Sequence, residues 1–180
     1  NDFVVGGTGD DVVSGGSGDD VVSGGSGDDV VSGGQGDDVI TGDATTSTTI
    51  GTVGNDTLTL GAGSFTVNAQ SGDDVITVSG KSGVFADAIN GGTGTDSLTI
   101  SLAGVSDLGD FSSITVNNTT GFITLTDSSG STIQFTNIEN LTVGSLAYVR
   151  ATSGAGVPGI TAIEQQAFFN STEKTLYLFN

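Results

Sequence analysis

A nine-residue unit recurs almost without error from Gly6, and its period constrains what this chain can fold into more than any other feature. The units run Gly6 to Ser14, Gly15 to Ser23, Gly24 to Ser32 and Gly33 to Thr41, each reading Gly-Gly-x-Gly-Asp-Asp-Val-Val/Ile-Ser/Thr. Each joins a glycine-rich turn carrying acids to a short β-branched strand. A unit this short buries no face of its own, so such units must stack. The register survives where the motif decays: further steps of nine put Ser47, Asp56, Phe65 and Asp74 at the sixth position. After Thr77 an insertion of about Val78 to Lys81 shifts the phase, expected as a bulge or loop. Two more units follow, Ser82 to Asn90 and Gly91 to Thr99, with Asp87 and Asp96 at the sixth position. The chain also opens inside a unit, with Asn1 and Asp2 at its fifth and sixth positions, which reads as a slice of something longer.

The unit resembles the RTX (repeats-in-toxin, haemolysin-type) nonapeptide Gly-Gly-x-Gly-x-Asp-x-U-x, where U is a large apolar residue. The resemblance implies an all-β, right-handed parallel β-roll in which two units make one coil and several calcium ions sit between stacked turns. Residues two units apart then stack, and the sixth positions separate into two columns. One column holds Asp2, Asp20, Asp38, Asp56 and Asp74, with Asp96 continuing it past the insertion. The other holds Asp11 and Asp29, then loses its carboxylates at Ser47 and Phe65. The expected roll is therefore asymmetric in calcium, with Asp87 a further candidate ligand of the shifted units.

Calcium is a hard cation that takes about six to eight oxygen ligands, so it needs carboxylates together with carbonyls from a backbone free to curl around it. Glycines tolerate the positive φ of that curl, which makes Gly7, Gly9, Gly16, Gly18, Gly25, Gly27, Gly34 and Gly36 part of the candidate metal site. The acid before each ligand (Asp10, Asp19, Asp28, Asp37 and Asp73) reads as a carbonyl donor whose own side chain is mostly solvated and whose charge favours cation capture. Each unit offers the interior one main side chain, at its eighth position: Val4, Val13, Val22, Val31, Ile40, Leu58, Val67, Ile76, Ile89 and Leu98. One such side chain cannot offset the entropy of ordering a whole unit. A formal charge of -18 adds self-repulsion. Metal binding is then expected to be part of the folding free energy, with an affinity on the order of 10⁻⁴ to 10⁻³ M, as in extracellular calcium modules.

Composition points outside the cell: no Cys, one Pro, three basic residues against 21 acidic ones. Nucleic acid is excluded as a partner, because nothing here neutralises phosphates. No transmembrane segment and no signal peptide are expected. The RTX resemblance implies export by the type I secretion apparatus to the extracellular space or bacterial cell surface. With no His and no Cys, the Ser-His, Cys-His and zinc arrangements are impossible within this chain. Carboxylates repeated at a fixed period are ligands rather than a singular catalytic dyad, so no enzyme is expected.

Three regions follow. Residues 1–99 form the calcium-binding roll. Residues 100–150 form a β-rich extension or cap, with strands over Ser113 to Val116, Phe122 to Thr126, Thr132 to Thr136 and Asn140 to Val143. Phe122 to Phe135 reads as a hairpin about Asp127-Ser128-Ser129-Gly130, with Phe122, Leu125, Ile133 and Phe135 as its apolar face. Asn137-Ile138-Glu139-Asn140-Leu141 resembles a step that closes RTX-type solenoids in secreted proteins. Residues 151–180 read as a linker (Ser153 to Gly159), a short helix over Pro158 to Asn170, with Ile160, Ile163 and Ala167 on one face, and a terminal strand over Thr175 to Phe179.

Strand alternation turns the seventh position outward: Phe3, Val12, Val21, Val30, Val39, Thr57 and Val75. These residues serve β-propensity alone, or they form apolar stripes for self-association, to which the open roll ends would add. The expected function is a calcium-binding structural module of a secreted bacterial protein, such as a surface layer, adhesin or extracellular filament. The alternative is an accessory calcium-folding and secretion module of an RTX enzyme or toxin whose catalytic domain lies outside this chain.

Overall fold

The computed structural model describes residues 1–42, 46–50, 53–117, 119–150, 167–170 and 175–178. Odd and even strands alternate between two sheets. One contains β1 (Phe3–Thr8), β3 (Val21–Ser26), β5 (Val39–Gly42), β7 (Thr57–Leu60), β9 (Val75–Ser79) and β11 (Ser97–Ser101), each hydrogen-bonded to the next. The other contains β2 (Val12–Ser17), β4 (Val30–Gln35), β6 (Thr46–Ile50), β8 (Ser64–Asn68) and β10 (Ala86–Asn90) in the same fashion. All these pairs are parallel, and Val4 aligns with Val22, Val13 with Val31 and Ile40 with Leu58. The chain winds as a parallel β-roll, one coil per pair of units.

The register absorbs the insertion. Ile76 pairs with Leu98 and Val67 with Ile89, so the added residues leave between β9 and β10 while both ladders continue. Turns that lead into the first sheet define a first edge of the roll; turns that lead into the second sheet define a second edge. The insertion lies at the second edge, as does the longer excursion after β11, which carries a 3₁₀ turn (Leu108–Asp110) and β12 (Ser113–Val116). β12 pairs antiparallel with β13 (Ile123–Thr126), β13 antiparallel with β14 (Thr132–Thr136), and β14 parallel with β10. In the first sheet β15 (Asn140–Val143) is the last parallel strand, followed by antiparallel β16 (Leu146–Arg150), β17 (Ala167–Asn170) and β18 (Thr175–Leu178). Both parallel ladders thus continue into antiparallel strands at one end of the solenoid. No α-helix occurs among the described residues, and no helix there is long and apolar enough to cross a membrane.

The eighth-position side chains fill the interior: Val13, Val22, Val31, Ile40, Leu58, Val67, Ile76, Ile89 and Leu98 are buried, and Val4 packs against them. A second inward file emerges higher up. Gly42 aligns with Leu60, Leu60 with Val78, Val78 with Ile100 and Ile100 with Val143, and these four larger residues are fully buried. The perfect units carry only glycine at that place, so in the first sheet each upper coil adds a second buried apolar side chain that the lower coils lack. Two expectations change. The hairpin buries Ile123 with Leu125, while Phe122 is only partly covered. Ala167–Asn170 is a strand rather than the end of a helix, because its backbone pairs with β16; the rest of the expected helix and the linker lie outside the described residues.

Candidate metal centre

The first edge carries a continuous file of carboxylates. Each sixth-position amide donates to the carboxylate of the next coil: Asp2 N to Asp20 Oδ1 (2.6 Å), Asp20 N to Asp38 (2.8 Å), Asp38 N to Asp56 (2.9 Å) and Asp56 N to Asp74 (2.8 Å). Asp74 N then donates to Asp96 Oδ1 at 3.0 Å across the insertion. One oxygen of Asp20, Asp38, Asp56, Asp74 and Asp96 is spent on this ladder. In four of them the other is left over: Oδ2 of Asp20, Asp38, Asp74 and Asp96 is buried and accepts no hydrogen bond. At the second edge Asp11 N donates to Asp29 Oδ1 (3.0 Å), and Oδ2 of both is likewise buried and unpaired. A buried carboxylate oxygen with no donor is costly unless a proton or a cation reaches it.

Burial takes the proton route part of the way. It pushes Asp74 up to about 7, with the charges of Asp96, Asp56 and Asp73 adding to it and the Asp56 amide opposing it. Burial also raises Asp38 and Asp96.

The glycines shape the space beside these oxygens. A methyl on Gly15 would lie 2.6 Å from both Asp20 Oδ2 and Gly33 O. The eight predicted glycines from Gly7 to Gly36 all have φ between 95° and 138°. At Gly25 and Gly27 a side chain would also strike the carbonyls of Gly7 and Gly9 in the coil below, so glycine is needed there twice over. No three acidic side chains converge among the described residues. The oxygens available at each level are therefore a few carboxylates plus backbone carbonyls, all hard donors, which fits calcium better than a soft or nitrogen-seeking metal.

The fifth-position acids differ from their sequence reading. They are exposed, but Oδ1 of Asp19 accepts Asp37 N (3.2 Å), Asp37 accepts Asn55 N (2.8 Å), Asp73 accepts Thr95 N (2.8 Å) and Asp10 accepts Asp28 N (3.0 Å). Their side chains are not merely solvated; they splice adjacent coils. This ladder runs opposite to the buried one, since here the lower carboxylate receives the upper amide.

The family model for the RTX calcium-binding nonapeptide repeat, in four copies, matches residues 1–31, 23–45 and 50–80. Residues 1–45 and 50–80 are thus RTX-type calcium-binding repeats. No curated protein and no solved structure matches it. Calcium is accordingly the ligand of these repeats, and the RTX roll is a calcium-binding structural module.

The upper part of the second edge departs from the RTX pattern. Phe65, buried, packs against Gly42 of the coil below, where a methyl would meet its ring. Above it Asp87 Oδ1 accepts Phe65 N at 3.0 Å, so the column resumes, but the cation beside Asp87 belongs to the protein. Lys81, supplied by the insertion, places its ammonium 2.9 Å from both Asp87 oxygens and 2.9 Å from Gly63 O. It also lies 4.4 Å from the centre of the Phe65 ring and 4.9 Å from that of Phe85. Burial pulls the Lys81 ammonium down from the ordinary lysine range and lifts the Asp87 carboxyl, and each is pushed back by the charge of the other. Sequence reasoning grouped Asp87 with the calcium ligands and missed Lys81. The available signal was a lone lysine in the one segment that breaks the period.

Proposed function

We propose that this chain is a calcium-triggered structural module of a secreted bacterial protein. Unfolded at low calcium, it folds outside the cell and joins a surface layer, adhesin or extracellular filament. The observation that supports this most is the set of buried carboxylates Asp20, Asp38, Asp74 and Asp96, whose second oxygens have no donor, an arrangement that is poor without cations and good with them. Low cytosolic calcium would keep such a chain unfolded for a type I secretion channel. Assembly is supported by the outward valines, since Val21, Val30, Val39 and Val75 form exposed rows on regular sheets. A non-catalytic role is supported by the lack of His and Cys throughout the sequence. Light scattering on size-separated protein, in chelator and in millimolar calcium, tests the proposal. Compaction followed by growth into ordered assemblies is the expected result. Compaction to a monomer alone would point to an accessory module of a larger RTX enzyme or toxin, and no response to calcium would overturn the folding switch.

A further inference from the structure

We infer that a further calcium site closes the first-edge column above the recognised repeats, between Asp96 and the turn that carries Asn137 and Glu139. The inference rests on the calcium reading of the roll but concerns residues outside the repeat match, which ends at residue 80. Three levels of the roll share one arrangement. Gly6 faces Asp11 Oδ2 and the carbonyl of Gly24, at 2.9 and 2.5 Å from the place of a methyl. Gly15 faces Asp20 Oδ2 and the carbonyl of Gly33. Gly91 faces Asp96 Oδ2, at 2.7 Å, and the carbonyl of Asn137. Asn137 belongs to no nonapeptide, yet with a left-handed φ of 53° it puts its carbonyl where the next glycine's would be.

The ladder is rebuilt as well. Glu139 Oε2 accepts Asp96 N at 3.0 Å, just as Asp38 Oδ1 accepts Asp20 N at 2.8 Å. Glu139 N and Asn140 N both donate to Asp96 O, at 3.0 and 2.9 Å, which fixes the turn over the site. This turn is shorter than Gly91 to Asp96 below it, and the extra methylene of glutamate over aspartate spans the difference. Asp96 is fully buried, and its Oδ2 accepts no hydrogen bond. Capping an amide needs only a neutral amide side chain such as Gln. A second carboxylate beside a buried, unpaired one is repulsive unless a cation lies between them, and the donors gathered here are all oxygens.

The test counts calcium ions bound to the full chain by native mass spectrometry, comparing the unmodified protein with Glu139→Gln at equal β-content. Gln keeps the acceptor for Asp96 N but removes the charge. One ion fewer in Glu139→Gln is expected; an equal count would overturn the site while leaving the lower calcium sites standing. An unmodified protein that binds no calcium would instead overturn the calcium reading as a whole. Should Glu139→Gln fail to fold, crystals of the unmodified protein grown with terbium decide. An anomalous peak beside Asp96 Oδ2, Asn137 O and Glu139 supports the site, and peaks confined to lower levels overturn it.

Discussion

The lower and upper coils of this roll are the same architecture held together by different means. Below Gly42 the interior receives one side chain per unit, both edges carry carboxylates, and every inward first position is glycine. Above it, Leu60, Val78, Ile100 and Val143 add a second apolar file, Phe65 replaces a ligand, and Lys81 supplies a cation that never leaves. A coil can therefore close around metal or around hydrocarbon and an internal ion pair, provided the hydrogen-bond register between coils is kept. It is kept: the same amide-to-carboxylate ladder joins Asp2 to Asp20 and Asp74 to Asp96.

Removing calcium should separate the two halves most sharply. As free calcium is lowered with chelator, hydrogen exchange is expected to lose protection across β1 to β5 before β9 to β15; simultaneous loss would erase the distinction. Lys81→Met tests the upper half from the other side. It leaves the Asp87 carboxylate buried without its cation and should cost about 3–5 kcal/mol in denaturant melts at saturating calcium. Adding Asp87→Asn should recover part of that loss, since no charge then remains to be compensated.

Within the lower coils the two edges can be compared directly. Asp38→Ala touches the levels on either side of it and should lose two ions, whereas Asp11→Ala should lose one; equal losses would contradict the two-column register. A milder handle is pH. Asp74 is raised from 3.8 to about 7, so without calcium the folded roll holds protons that the unfolded chain has released. That stability is full below about pH 4 and disappears as pH rises through about 7. Calcium-free protein should thus keep more β-structure by circular dichroism at pH 5 than at pH 8, and calcium should bind more tightly at the higher pH, where it no longer competes with protons. The smallest effect expected is at Gln70, a non-glycine residue with φ of 72° at a second position. Gln70→Gly should raise the thermal midpoint, by a stabilisation of about 1 kcal/mol, because left-handed backbone is strained for side chains other than glycine.

Much of this was legible in the sequence because a fixed period converts position into geometry. The two columns, the continuation at Asp96 and the strands Ser113–Val116 and Asn140–Val143 all follow from counting and alternation. Lys81 and Glu139 were illegible for the same reason. Neither occupies a position of the unit, and their roles depend on where a loop folds back, which the period does not encode. The fifth-position acids are exposed, as their reading as mostly solvated side chains expects, but Asp10, Asp19, Asp37 and Asp73 also bond the coil beside them, which composition alone does not reveal. Ala167–Asn170 follows its β16 neighbour rather than its local pattern, as short segments do when an open sheet edge is at hand.

The four added residues and the longer excursion after β11 both leave the roll at its second edge, whereas the first edge repeats the same turn from Asp20 to Asp96. One margin thus acts as a ruler of constant pitch, and the other is open to editing. Loops grafted along the open margin would be displayed in single file beside the coils, spaced by the strands, without unthreading the ions opposite.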